Sequence, residues 1–99
     1  MTGARRPGLS FCVYMLECAD GSIYTGHTDQ LDARLAAHQL GTFRGYTSMR
    51  RPVKLIFQAQ FASRDEAFAA ERQIKGWSRR KKLALTRGDW AEIERLARV

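Results

Sequence analysis

An Asp-Gly turn between two β-prone segments constrains this chain more than any other feature. The segment Phe11 to Glu17 is apolar, Ser22 to His27 is a second short β-prone run, and Ala19-Asp20-Gly21 lies between them. This pattern predicts an antiparallel hairpin whose first strand is covered on both faces. Each strand carries a tyrosine, Tyr14 or Tyr24, and a buried phenol needs a hydrogen-bond partner. The hairpin therefore brings two polar aromatic side chains onto neighbouring strands.

The length of the turn decides whether the two tyrosines lie on one face of the hairpin. A two-residue loop pairs Tyr14 with His27 and sends Tyr24 to the opposite face. A three-residue loop, with Gly21 in the left-handed conformation at a bulge, pairs Tyr14 with Gly26 and puts both tyrosines on the same face. We predict the three-residue register.

After the hairpin, the pattern predicts a helix, a loop and a third strand. The helix begins with Thr28 or Asp29 as its cap, runs to about Gln39 and ends at Gly41. A loop over residues 41–51 leads to a strand over residues 53–61. The apolar face of that strand is expected to carry Leu55, Phe57 and Ala59.

Three further helices are expected in the second half of the chain. Ser63 caps the first of them, with Glu66 at the third helical position as in a capping box, and this helix runs to about Trp77. Residues 78–85 form a short basic helix. Asp89 begins a last amphipathic helix that runs to the C-terminus, and its apolar side carries Trp90, Ile93, Leu96 and Ala97.

The overall composition is that of one folded, basic domain. The chain has 99 residues, of which 44% are hydrophobic, and its net charge is +7. We predict a flexible tail over residues 1–9 and a single domain over residues 10–99. The excess of positive charge favours a polyanionic partner, and nucleic acid is the commonest one.

The two cysteines and the absence of long apolar runs bear on location. Cys12 and Cys18 lie on one predicted strand, where a rise of about 3.3 Å per residue separates their backbones by roughly 20 Å, too far for a disulfide. Both are predicted to be buried thiols in a reducing compartment. No segment has the length or apolarity of a membrane span or a signal peptide, so the predicted location is the cytoplasm, with no membrane partner.

One acidic residue of the chain falls inside an apolar helix stripe. Ala67, Ala70, Ile74 and Trp77 define the stripe, and helical spacing places Glu71 within it. A buried carboxylate is costly unless a cation meets it. Two interpretations stay open at this point: an ion pair with Arg34 or Lys75, or a single-carboxylate site for a hard divalent cation completed by water and phosphate.

Arg34 and His38 form the second polar group on an otherwise apolar helix face. They are four residues apart, so both side chains project from the same patch. A guanidinium is suited to binding phosphate, and an imidazole can exchange a proton near neutral pH. Each residue alone is compatible with a structural role. Together with the two tyrosines and Glu71, they are typical of a site that cleaves phosphodiesters.

These motifs, taken in order, resemble the GIY-YIG nuclease superfamily, in particular its small single-domain members. The resemblance covers roughly residues 11–85. The matching segments are Val13-Tyr14, Tyr24-Thr25-Gly26 with Arg34 and His38, Gly45-Tyr46-Thr47, Arg51-Pro52-Val53, and Glu71 with Ile74-Lys75-Gly76-Trp77.

The resemblance implies an α/β domain with a small three-stranded antiparallel sheet flanked by helices, here with an extra C-terminal helix. It also implies hydrolysis of nucleic acid with Mg²⁺ or Mn²⁺. In that case Tyr14 or Tyr24 accepts or relays the proton of the attacking water, Arg34 neutralises charge on the phosphate, and Glu71 holds the metal. His38 orients a tyrosine or assists proton transfer.

Other polar and basic residues are expected to contact nucleic acid, namely His27, Tyr46, Arg50, Arg51, Lys75, Arg79, Arg80, Lys81 and Lys82. Three hypotheses for function remain. The first is a metal-dependent endonuclease acting on structured or damaged DNA in repair or recombination. The second is a nucleic-acid-binding module without catalysis, and the third is a nuclease subunit that docks a protein partner through its C-terminal helix.

Overall fold

The sheet at the centre of the fold has three antiparallel strands in the order β2-β1-β3. The computed structural model of the protein describes residues 11–97. The elements, in chain order, are β1 (Phe11–Glu17), β2 (Ile23–Thr28), α1 (Leu31–Leu40), β3 (Lys54–Phe61), α2 (Arg64–Lys75), α3 (Arg79–Thr86) and α4 (Trp90–Ala97). The predicted fold class is confirmed. The predicted tail over residues 1–9 and the last two residues of the predicted C-terminal helix lie outside the described residues.

The hairpin has the predicted three-residue register. Tyr14 pairs with Gly26 across β1 and β2. The turn is closed by a hydrogen bond of 2.8 Å from the Cys18 amide to the Ser22 carbonyl. Gly21 has a φ of 84°, in the left-handed region that a residue with a side chain adopts at a cost. Both tyrosines therefore lie on the same face of the sheet.

Each face of the sheet has its own hydrophobic cluster. On one face, Val13 and Met15 pack against residues of α2, α3 and α4, including Ile74 and Ile93. On the other face, Tyr14 and Leu16 form a second cluster, which receives Leu31 and Leu35 of α1. Because β1 is the central strand and is covered on both sides, its apolar sequence is explained by burial rather than by alternation.

The structure contradicts two of the local predictions. The N-cap of α1 is Gln30, not Thr28 or Asp29, because Thr28 still pairs with Cys12 as the last residue of β2. The third strand does not carry Leu55 and Phe57 on one face. A register shift in β3, opposite Met15 and Leu16 of β1, places these two residues of β3 in different clusters. Phe57 packs in the cluster on the α2 side, and Leu55 packs in the cluster on the α1 side.

The ends of the other helices agree with the sequence signals. Gly41 ends α1 in the left-handed conformation, with a φ of 80°. The Ser63 hydroxyl accepts a hydrogen bond from the Glu66 amide at the start of α2. The Asp89 carboxylate accepts one from the Glu92 amide at the start of α4. The last helix packs its Ile93, which is 6% exposed, onto the chain's own core, which counts against a role for that helix as a free docking element.

Candidate active site

A chain of three buried polar side chains lies between β1, α1 and the loop that follows α1. The Tyr14 Oη atom lies 2.8 Å from Nε2 of His38, and Nδ1 of His38 lies 2.6 Å from Oγ1 of Thr47. None of the three is more than 1% exposed. Every polar atom of the imidazole is thus bonded inside the domain, as buried polar groups require.

The local backbone explains how Thr47 reaches His38. The left-handed Gly41 reverses the chain at the end of α1, where the amides of Thr42 and Phe43 bond the Ala37 carbonyl. The loop then returns over the end of the helix. On the way, the Phe43 ring packs on the His38 imidazole, with 4.4 Å between ring centres. The imidazole is held by packing as well as by hydrogen bonds.

Tyr24 is the half-buried member of the tyrosine pair. Its ring centre lies 6.2 Å from that of Tyr14 and 5.2 Å from that of His38. On its other side it stacks on Tyr46 at 6.0 Å. Gly26 permits this arrangement, because a Cβ atom there would stand 3.0 Å from the Tyr24 ring and 2.6 Å from Tyr14 Oη. The predicted neighbourhood of the two tyrosines is confirmed.

Arg34 provides the cation of this cluster. Its guanidinium carbon lies 4.7 Å from the centre of the Phe43 ring. Burial and the neighbouring Tyr24 raise the pKa of Tyr14 above its ordinary value, and Arg34 only partly offsets that increase. Burial and the Arg34 charge both lower the pKa of His38. At neutral pH, Tyr14 is therefore protonated and His38 is uncharged.

Glu71 is buried, as helical spacing predicts, and is 6% exposed. Its Oε1 atom lies 2.5 Å from Nδ1 of His27, and its Oε2 atom lies 2.9 Å from Nζ of Lys75. Burial acts against ionisation, but the hydrogen bonds from Lys75 and His27 outweigh it and hold the pKa of this carboxyl below its ordinary value. Of the two ion pairs considered for Glu71, the structure contains the one with Lys75.

The predicted site residues form two groups on opposite faces of the edge strand β2. Tyr24 points to the α1 face with Tyr14 and His38, whereas His27 points to the α2 face and meets Glu71. Lys75 is influenced by both groups, since its pKa is raised mainly by Glu71 and in smaller part by Tyr24.

The side chains around Glu71 fit a divalent cation only if Glu71 is its single carboxylate ligand. Within residues 11–97, no three His, Cys, Asp or Glu side chains are grouped so that they could hold a metal ion. Glu71 is nevertheless ionised and lies beside the half-buried His27. Hard divalent cations such as Mg²⁺ often bind to one or two carboxylates and complete their shell with water and phosphate. The residues present therefore fit a single-carboxylate site.

The arginines of the 41–51 loop make contacts within the protein. Arg50 donates to the Asp20 carboxylate at 3.0 Å and to the Tyr46 carbonyl at 2.8 Å, and its guanidinium lies 3.9 Å from the Tyr46 ring centre. Arg51 donates to the Ser48 carbonyl. Arg50 joins this loop to the β1–β2 turn. The predicted contact of Tyr46, Arg50 and Arg51 with nucleic acid stays a prediction.

Basic residues of α3 are also engaged by neighbouring groups. Arg79 donates to the Gly21 carbonyl at 2.8 Å, and Arg80 pairs with Glu92 at 3.1 Å. The Lys81 ammonium lies 4.4 Å from the Trp77 ring centre. Lys82 is 7% exposed, and burial, together with the charge of Lys75, lowers its pKa. The contacts of these arginines are exposed to solvent, and exposed ion pairs contribute little to stability. The same side chains are therefore free to contact phosphates as well.

Two residues of this site were not assigned a role from the sequence. Thr47 lies in a loop, where no periodicity shows which way a side chain points. Phe43 was missed for the same reason. The one sequence signal for Thr47 is its place in the segment Gly45-Tyr46-Thr47, which resembles the small single-domain nucleases.

No helix within residues 11–97 is long and apolar enough to cross a membrane. Both cysteines are free and buried, as predicted.

Comparison with known proteins shows the family to which this chain belongs. The model of the GIY-YIG catalytic domain matches residues 10–84. The UPF0213 protein SH2523 of Staphylococcus haemolyticus is 45% identical over 73 residues, covering 74% of this chain and 89% of that protein. A UPF0213 protein of Staphylococcus aureus is 42% identical over 76 residues, covering 77% and 93%.

Two solved structures are similar along most of the chain. The solution NMR structure of the UPF0213 protein BH0048 from Bacillus halodurans has a TM-score of 0.50 and 44% identity, covering 76% of this chain and 80% of that one. The NMR structure of the protein EF2693 from E. faecalis has a TM-score of 0.52 and 39% identity, covering 74% and 78%. The chain belongs to the GIY-YIG catalytic domain family.

Proposed function

We propose that this protein is a divalent-metal-dependent endonuclease that hydrolyses phosphodiester bonds in DNA. One observation carries the proposal. The buried, ionised carboxylate of Glu71 lies on one face of the edge strand β2, and the aromatic rings of Tyr24 and its neighbours, with Arg34 beside them, lie on the other face. A carboxylate that can hold a metal, a cation and a phenol can together supply metal binding, charge neutralisation and proton transfer, and family membership adds support.

Arg34 is proposed to bind the scissile phosphate. Its guanidinium is half-buried on the Phe43 ring, so its orientation is restrained before substrate arrives. A planar guanidinium donates two parallel hydrogen bonds to phosphate oxygens. Because negative charge accumulates on those oxygens in the transition state, a cation held in place there lowers the barrier.

Tyr24 is proposed as the tyrosine that contacts the attacking water. Tyr14 is fully buried, whereas Tyr24 is half-buried and acts electrostatically on Lys75, the partner of Glu71. A general base must lie within hydrogen-bond reach of the proton that it accepts. Tyr14 and His38 then pack against the Tyr24 ring and do not contact the substrate.

Glu71 is proposed to hold Mg²⁺ or Mn²⁺. A cation bound there supplies charge neutralisation at the phosphate and at the leaving oxygen. His27 and Lys75 keep the carboxylate ionised and oriented in the chain itself. This is the usual task of groups that hydrogen-bond a ligating carboxylate.

Structured or damaged DNA, as found in repair or recombination, is the proposed substrate. The net charge of +7 favours a polyanion, and the candidate contacts are cations suited to phosphate. Phosphate contacts carry no base sequence, so any selectivity must come from the shape of the DNA. Branched or interrupted duplexes offer such a shape.

The proposal is tested by a cleavage panel of duplex, flap, fork, junction and single-stranded DNA, with matching RNAs, in Mg²⁺, Mn²⁺ or EDTA. We expect metal-dependent cleavage of a structured DNA. Glu71→Gln should reduce it to the level in EDTA, and Arg34→Ala should slow it by about 10²-fold or more. Glu66→Gln, an exposed acid on the same helix, is the matched control. Equal cleavage by wild type and Glu71→Gln on every substrate would contradict the proposal.

A second candidate function is nucleic-acid binding without catalysis. It is favoured by the pairing of Glu71 with Lys75, since that ion pair satisfies the carboxylate without any metal. The basic α3 helix binds phosphates in this case as well. Salt-sensitive binding, measured by fluorescence anisotropy, without metal-dependent turnover on any member of the panel would favour it.

A further inference from the structure

Both ring nitrogens of His38 are hydrogen-bonded to hydroxyl groups, so the contacts alone do not show which nitrogen carries the ring hydrogen. Nε2 faces the Tyr14 phenol at 2.8 Å, and Nδ1 faces the Thr47 hydroxyl at 2.6 Å. A neutral imidazole carries one N–H, so one nitrogen donates and the other accepts. Either hydroxyl can take either role. The position of the ring hydrogen therefore decides what His38 does for Tyr14.

The surroundings of the two hydroxyls distinguish the two arrangements. If Nδ1 carries the hydrogen, Nδ1 donates to Thr47, and the hydroxyl hydrogen of Thr47 then has no acceptor within residues 11–97. Thr47 is 1% exposed, so water does not replace that acceptor. A buried donor without a partner is strongly disfavoured.

In the other arrangement, the hydrogen without an assigned partner belongs to Tyr14. The Thr47 hydroxyl donates to Nδ1, Nε2 carries the ring hydrogen and donates to Tyr14 Oη. The Tyr14 hydroxyl hydrogen is then directed elsewhere, and Tyr24 is a neighbouring phenol close enough to affect the ionisation of Tyr14. This arrangement leaves its unassigned hydrogen beside a second phenol, whose ring centre lies 6.2 Å from that of Tyr14, whereas the first leaves it on a buried Thr47 hydroxyl with no other hydrogen bond within residues 11–97.

We propose that Thr47 is a positioning residue that fixes the His38 tautomer, so that Nε2–H donates to the Tyr14 oxygen. Its catalytic consequence rests on the proposed nuclease function. His38 cannot then take a proton from Tyr14. It instead donates to the Tyr14 oxygen and leaves the Tyr14 hydroxyl hydrogen for Tyr24 or a group bound beside it. This excludes the version of the mechanism in which His38 acts as a base toward Tyr14.

The tautomer can be read directly without any activity. Long-range ¹H–¹⁵N spectra of the wild-type protein at pH 7.5 distinguish a protonated ring nitrogen from an unprotonated one. A His27→Gln variant removes the chain's other imidazole and so assigns the signals. We expect Nε2 protonated and Nδ1 unprotonated in His38. The reverse assignment would overturn the proposal, whatever the protein does to DNA.

Two substitutions then test whether Thr47 is the cause. Thr47→Asp replaces the hydroxyl with a carboxylate, which can only accept, so Nδ1 should become protonated. Thr47→Ser keeps a hydroxyl and should give the wild-type spectrum. Thr42→Asp, in the same loop at an exposed position whose hydroxyl bonds the Ala37 carbonyl, is the matched control. An unprotonated Nδ1 in folded Thr47→Asp would overturn the role of Thr47.

Cleavage assays add a separate measurement. If the nuclease activity is present, Thr47→Val should lower kcat by about tenfold with little change in KM. This is the lower end of the loss seen when a metal-bound histidine loses the residue that orients its ring. Thr47→Ser should recover most of it. An unchanged kcat in Thr47→Val would overturn the catalytic consequence. Absence of cleavage in every variant, with the expected spectra, would count against the nuclease function alone.

Discussion

Gly26 lies directly against the Tyr14 phenol, so closely that a Cβ atom at this position would stand 2.6 Å from Oη. The glycine is opposite Tyr14 in the hairpin ladder and two residues after Tyr24. Its φ is not in the left-handed region, so the need for glycine comes from close packing and not from backbone conformation. The glycine of the Tyr24-Thr25-Gly26 motif is thus explained by the tyrosine pair.

Gly26→Ala should displace the Tyr14 ring and weaken its bond to His38. We expect a loss of about 1–3 kcal/mol in the free energy of unfolding, as for other overpacked buried positions. Urea denaturation measures it. Gly76→Ala is the control, because a Cβ there meets only the Gln73 carbonyl at 3.8 Å. Equal stability of Gly26→Ala and wild type would contradict this account of the packing.

Thr25→Val should stabilise the protein. The Thr25 hydroxyl is buried, and within residues 11–97 it has no hydrogen-bond partner. A buried polar atom without a partner costs about 1–3 kcal/mol, so removing the hydroxyl at constant shape should raise the free energy of unfolding by about 1 kcal/mol. Thr86→Val should have the opposite effect, because the Thr86 hydroxyl donates to the Leu83 carbonyl at 2.6 Å. A destabilised Thr25→Val would show that the hydroxyl is satisfied in solution.

Stability should fall on mild acidification because of His38. Burial and Arg34 lower its pKa in the folded state below the ordinary 6.5, so the unfolded chain takes up a proton first as the pH falls. The free energy of unfolding should therefore decrease below about pH 6.5, by at most about 1.4 kcal/mol per pH unit, until the folded-state pKa is reached.

Unfolding experiments at pH 7.5 and pH 5.5 measure this decrease, and His38→Gln should show a smaller one. The contribution of Glu71 is separate. Its pKa is lowered from 4.5 by its partners, so its stabilisation is present above that value and is lost only at more acidic pH. An identical decrease in wild type and His38→Gln would contradict the prediction.

The two tyrosines should differ in their contribution to cleavage. Tyr24→Phe removes the half-buried hydroxyl proposed to contact water, and we expect kcat to fall by about 10²-fold or more. Tyr14→Phe removes a fully buried hydroxyl bonded to His38, and we expect a smaller decrease. Single-turnover cleavage of one DNA substrate measures both. A larger loss in Tyr14→Phe would reverse the proposed roles.

Much of the fold was predictable because its signals are local. The Asp-Gly turn and the left-handed Gly21 determine the hairpin register within a few residues. The burial of Glu71 follows from its phase in a helix whose apolar stripe is clear. The two failures, the cap of α1 and the face of Leu55, arose where strand pairing overrides local preference.

The sequence was enough to predict which residues belong to the candidate site, but not all of the contacts between them. Arg34 and His38 share a helix face, so their proximity follows from spacing alone. The partner of Glu71 did not follow, since Arg34 and Lys75 were both open and His27 was not considered. That choice depends on which face of β2 each side chain occupies and on how α2 crosses it. Neither is a local property of the sequence.

By itself, the sequence determined the hairpin, the helix phases and the identity of the ionisable groups, because each depends on residues only a few positions apart. Tertiary structure alone decided that Thr47 bonds His38, that Gly26 must yield space to Tyr14, and that Glu71 lies on the other side of β2 from the tyrosines. Those relations join residues that are distant in the chain. They arise only when loops and helices close over the sheet and every buried polar group must find a partner.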